Sequence, residues 1–84
     1  MQNLEETSNF KIYPNPNNGK FIVETEYKNP TLEIIDVSGR TVISKTLSKQ
    51  KTEIFLEEIK SGFYIARLIL ENQIQEKKLI LNTN

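Results

Sequence analysis

Leu32-Glu33-Ile34-Ile35-Asp36-Val37-Ser38-Gly39-Arg40-Thr41-Val42 is the stretch that decides the fold class. Its first half carries apolar residues on both faces of an extended chain, Leu32 and Ile34 against Ile35 and Val37. Such a strand is either flanked on both sides or carries a bulge. Asp36-Val37-Ser38-Gly39-Arg40 reads as a hairpin turn, with Gly39 supplying a positive φ, and residues 41–47 return as the partner strand. Arg40 stands where it can pair with Asp36 across the hairpin base.

Working outward, the same alternation of short apolar runs and turn formers continues in both directions. Upstream, Phe10-Lys11-Ile12-Tyr13 precedes Pro14-Asn15-Pro16-Asn17-Asn18-Gly19. The two prolines fix φ and remove two donors, so no ladder passes through this loop. Asn18-Gly19 suits a tight turn into a strand over residues 20–27, with Phe21, Val23 and Thr25 on one face. Lys28-Asn29-Pro30 is the next break. Downstream, Ser48-Lys49-Gln50 turns the chain into a strand over 51–56, with Thr52, Ile54 and Leu56 on one face. Residues 57–62 form a connection with room for one helical turn, 63–71 the longest apolar strand, and 74–81 the last. No apolar period of 3.6 residues is sustained over 11 or more positions. The expected fold is all-β, a small antiparallel β-sandwich of about seven strands, immunoglobulin-like.

Composition bounds what such a sandwich can do. Eighty-four residues, 37% of them hydrophobic, suffice for one modest core. Residues 1–9 are polar and read as a flexible leader or linker, and residues 10–84 as the domain. The Met start without an export signal suggests a piece taken from a longer protein. Eleven basic residues balance eleven acidic ones, so the basic footprint that nucleic acid requires is missing. No apolar run approaches the roughly 20 residues of a membrane span, so membrane insertion is not expected.

Candidate chemistry is sparse. Without histidine the chain lacks the commonest general base and the commonest metal ligand. A Ser–Lys dyad would need one of Lys45, Lys49 or Lys60 buried, and these fall in polar turns or on exposed strand positions. Glu57 and Glu58 are adjacent in a connection and Glu24 and Glu26 share a strand face next to water, and a sandwich of 84 residues has little room for a cleft between paired carboxylates. Asn15, Asn17, Asn18 and Asp36 offer oxygens to calcium but only one carboxylate among them, and turn chemistry accounts for them. Tyr13, Tyr27 and Tyr64 are the candidates for a carbohydrate platform, the phenylalanines being assigned to the core. The expectation is no enzyme, no metal and no cofactor.

What rises above this background is an ordered set of turn motifs: Tyr13-Pro14-Asn15-Pro16, Gly19-Lys20-Phe21, the quoted hairpin, Ser61-Gly62-Phe63-Tyr64-Ile65 and Lys77-Lys78-Leu79-Ile80-Leu81. Their order and spacing resemble the type A C-terminal sorting domain of the type IX secretion system of Bacteroidetes, over residues 10–82. The resemblance implies an address label, carried through the periplasm and read by translocon, shuttle and sortase proteins at the outer membrane. A sortase-like protease then removes it, leaving the parent protein at the cell surface or outside. Pro14, Asn15, Pro16, Gly19, Asp36, Gly39, Arg40, Gly62, Tyr64, Lys77 and Lys78 are the candidate recognition residues, with Lys77 and Lys78 foremost. Family members often end on a basic residue, whereas this chain ends Leu81-Asn82-Thr83-Asn84. A carbohydrate-binding or adhesive sandwich is the rival reading, and edge strands offer a route to a weak homodimer.

Overall fold

A computed structural model describes residues 10–82. The leader assigned to residues 1–9 and the terminal Thr83-Asn84 lie outside the described residues.

Seven strands follow one another: β1 Phe10–Tyr13, β2 Lys20–Thr25, β3 Thr31–Ile35, β4 Thr41–Thr46, β5 Lys51–Phe55, β6 Gly62–Ile69 and β7 Ile74–Leu81. They form two antiparallel sheets, β1-β2-β5 and β4-β3-β6-β7. The connections β2–β3, β4–β5 and β5–β6 cross between sheets, which gives the immunoglobulin-like sandwich expected from the strand pattern.

Alternation builds the core. Phe10 and Ile12 of β1, Phe21 and Val23 of β2, and Ile54 of β5 face Leu32 and Ile34, Tyr64, Ala66 and Leu68, and Leu79 and Leu81 from the other sheet. Both readings of the quoted strand hold together. β3 lies between β4 and β6, and its register to β4 shifts at Ile34/Ile35, so Ile35 is buried as well as Ile34.

Several boundaries and assignments are corrected. β2 stops at Thr25 instead of continuing to residue 27, because the Thr25 hydroxyl accepts the Tyr27 N–H (3.1 Å) and turns the chain. β3 stops at Ile35 because the Asp36 side chain takes over the following N–H groups, and Val37 is left 83% exposed. Residues 57–61 contain no helical turn. Phe10 and Phe21 are core, but Phe55 and Phe63 are 60% and 57% exposed, since strand parity turns them away from Ile54 and Tyr64.

The sandwich has two poles. Tyr13, Lys20, Phe55, Ile35, Thr41, Gly62 and Leu81 end or begin their strands at one of them. Phe10, where the chain enters the fold, lies at the opposite pole, with Thr25, Lys51, Thr46 and Ile74.

Candidate functional site

The loop between β1 and β2 is held by its asparagines. Asn15 substitutes for a strand residue: its Nδ2 donates to the Lys78 carbonyl (2.9 Å), and its Oδ1 accepts the Ile80 N–H (3.0 Å). The main chain of Asn17 continues the pairing, donating to the Ile80 carbonyl (3.1 Å) and accepting from the Asn82 N–H (2.7 Å). The even-numbered residues of β7 point their peptide groups away from β6, so these bonds close the outer edge of β7 over residues 78–82.

Asn17 also braces the loop from within. Its Nδ2 donates to the Pro14 carbonyl (2.8 Å) and its Oδ1 accepts the Gly19 N–H (2.8 Å). The Gly19 carbonyl in turn accepts the Leu56 N–H (2.8 Å). One loop thereby fastens the edge of the four-stranded sheet to the end of β5 in the other sheet. Both Pro14 and Pro16 follow cis peptide bonds. Gly19 has φ +108°, and a Cβ there would lie 2.8 Å from the Leu56 carbonyl oxygen. Only glycine meets both conditions without strain.

The second motif is a closed hairpin. Asp36 Oδ1 accepts the N–H groups of Ser38 (3.0 Å) and Arg40 (2.9 Å) and the Ser38 hydroxyl (2.8 Å). Its Oδ2 accepts Nε of Arg40 (3.3 Å), the pairing expected from the sequence. Gly39 takes φ +92° and donates to the Asp36 carbonyl (2.9 Å). The Ser38 hydroxyl first, and then the Arg40 N–H, stabilise the carboxylate and hold the Asp36 pKa below its ordinary value.

This makes hairpin order pH-dependent. A carboxyl whose pKa is depressed by folding contributes stability above its unfolded pKa of about 3.9, and loses it as pH falls through the lower folded value. Acidification below about pH 4 is therefore expected to loosen residues 36–40 before the core melts. Amide shifts and exchange of Ser38 and Arg40, followed by NMR against pH, check this. In Asp36→Asn the transition disappears.

The third motif meets the hairpin. A groove of about 690 Å³ runs between it and the connection 57–62, lined by Asp36, Val37, Arg40, Gly62, Phe63 and Tyr64 among others. Tyr64 is buried, and its hydroxyl donates to the Lys60 carbonyl (2.7 Å), fixing the connection onto β6 in the manner of a tyrosine corner. Glu58, also on the groove wall, has φ +57°, and Gly62 opens β6 with φ +148°.

The candidate residues therefore gather at one pole, with Lys77 as the exception. Lys78 points outward over the exposed Phe63 ring (5.1 Å from its centroid), and its carbonyl is held by Asn15. Lys77 is on the other face of β7, over the ring of buried Phe10 (5.6 Å). Adjacent strand residues face opposite ways, so the two lysines do not form one cationic feature.

Other expectations resolve structurally. Asn15, Asn17 and Asp36 spend their side-chain oxygens on the protein, and no group of three or more acidic ligands gathers among the described residues. The three tyrosines share no surface. Tyr13 donates to Glu24 Oε1 (2.7 Å) on the outer face of the three-stranded sheet, which raises its pKa. Tyr27 lies near the opposite pole, and Tyr64 is buried. Asn17, weighed from the sequence only as a calcium oxygen, is missing from the expected recognition residues although it holds the loop together. Its signal was an asparagine between Pro16 and Asn18-Gly19, where side-chain amides often replace main-chain partners.

No curated protein matches the chain. A family model described as a secretion system C-terminal sorting domain (Por_Secre_tail) matches residues 11–82. That match takes in every strand save the first residue of β1 and all three motifs at the pole, and the chain belongs to this family of type IX sorting domains.

Proposed function

We propose that the pole formed by residues 14–19, 36–40 and 57–64 is the surface by which type IX components read this domain. Translocon, shuttle and sortase proteins are the readers on this view. The domain is a non-catalytic label that takes its parent protein through the periplasm to the cell surface or medium. A sortase-like protease removes it on the leader side of Phe10.

The observation that carries the reading is convergence: motifs far apart in sequence share one pole, and the chain enters at the other. A cargo joined before Phe10 thus leaves the pole unobstructed. The exposed Val37 and Phe63, next to the 80% exposed Arg40 side chain, give it an apolar centre with a polar rim.

The test is a fusion of residues 1–84 behind a periplasmic reporter in a type IX-competent cell. The intact domain is expected to carry the reporter out. Val37→Asp with Arg40→Ala, both exposed and outside the core, should keep the unfolding midpoint and cut export at least about tenfold. Export equal to the intact domain from this folded variant would place recognition elsewhere.

A further inference from the structure

The two edges of the four-stranded sheet are finished differently. The asparagine loop covers β7 over residues 78–82, whereas no described segment covers β4. The Leu47 N–H bonds the Pro30 carbonyl (2.9 Å), so in the register Leu32↔Lys45 and Ile34↔Ile43 the odd-numbered residues of β4 bond β3. The peptide groups of Ser44 and Thr46 therefore point away from the sheet, a ready ladder for one more strand.

The surroundings of that edge select by charge. A crevice of about 260 Å³ between β4 and β5 is lined by Lys45, Lys49, Lys51 and Thr52, with Glu53 as its only acidic residue. Glu53 is within 4.0 Å of Lys20, while Lys45, Lys49 and Lys51 make no ion pair among the described residues. Lys45 pairs with Leu32 and so projects from the core-facing side of β4, at the mouth between the sheets. The Thr52 hydroxyl is buried there without a hydrogen-bond partner among the described residues.

We propose that this edge accepts an extended acidic peptide segment, which adds to β4 as a fifth strand. Its main chain pairs with Ser44 and Thr46, and the carboxylates on one of its faces meet Lys45, Lys49 and Lys51. Main-chain bonds supply a sequence-independent part of the affinity and the carboxylates the selection. Lysines on an edge also discourage like edges from pairing. A second copy of this chain meeting β4 through β4 sets lysine against lysine, so the same charges that repel a copy admit an acidic strand.

The probe is an end-blocked eight-residue peptide alternating Val and Glu, titrated into the 84-residue chain and followed by NMR. Binding is expected to slow amide exchange at Ser44 and Thr46, to shift Lys45, Lys49 and Lys51, and to weaken as salt rises. Lys45→Glu with Lys51→Glu should weaken it at least about tenfold, and Lys45→Gln with Lys51→Gln serves if the reversal disturbs folding. A proline at the peptide centre should abolish the protection at Ser44 and Thr46. The proposal is overturned if a matched eight-residue peptide alternating Val and Lys binds equally well. It is overturned equally if inorganic sulfate alone reproduces the shifts at its own concentration, if Ser44 and Thr46 stay unprotected, or if self-association of the chain protects them without peptide.

Discussion

Gly19→Ala is expected to lower the thermal midpoint by about 10–25 °C, out of proportion to one added methyl group. The new Cβ would stand 2.8 Å from the Leu56 carbonyl oxygen, main chain that cannot rotate aside. It would also hold a non-glycine residue at φ +108°, a cost of about 1–3 kcal/mol before any clash. With displacement of Leu56 the total comes to roughly 2–4 kcal/mol, against about 4–13 kcal/mol for the whole domain at 0.05–0.15 kcal/mol per residue. At Gly39 a Cβ would meet nothing within 4 Å, so Gly39→Ala carries the strain of φ alone and should shift the midpoint by clearly less. Paired thermal melts of the two variants give the comparison. Equal shifts would mean that the contact between Gly19 and Leu56 does not hold the pole together.

The consequence extends beyond stability. Gly19 N–H is held by Asn17 Oδ1, and Asn17 bonds both Ile80 and Asn82, so displacing Gly19 loosens the cover on β7. An uncovered edge presents unpaired peptide groups to other chains. Gly19→Ala should therefore show faster amide exchange at Ile80 and Asn82, and a stronger tendency to self-associate, than Gly39→Ala.

The strand pattern was legible because sandwich strands advertise themselves locally. Phe21-Ile22-Val23-Glu24-Thr25 alternates faces, and turn residues such as Asn18-Gly19 and Ser38-Gly39 separate the runs. Asp36 and Arg40 were legible for the same reason, being only four residues apart. Strand ends were less so, because a single side-chain bond decides them, as Thr25 to Tyr27 and Asp36 to Ser38 do. The partner of the asparagine loop could not be read at all. Asn15 meets Lys78 and Ile80 across 63 and 65 residues of chain, and no local pattern encodes which distant edge a loop will cover. Lys77 and Lys78 stand foremost in the sequence because both lie on the last strand, close to the end of the chain, and they are also neighbours. In a strand, that very adjacency sends them to opposite faces.

Removing residues 78–84 is expected to abolish the fold entirely, which separates a folded label from a linear tag. The deletion takes away Leu79 and Leu81, both essentially fully buried, each worth about 2–5 kcal/mol when truncated to alanine. Together they match most of what a domain of this size has to lose. The deletion also strips Asn15 and Asn17 of the strand they cover, so the pole is disordered along with the core. Circular dichroism should show no cooperative thermal transition, and the reporter fusion should remain in the periplasm. Lys78→Ala is the matched control. It removes one exposed cation above Phe63, leaves the carbonyl that Asn15 holds, and should fold with a midpoint within a few degrees of the intact chain. If residues 78–84 grafted alone onto the reporter sufficed for export, the signal would be a linear tag. If they fail while the whole sandwich succeeds, what is read is the surface that only folding assembles.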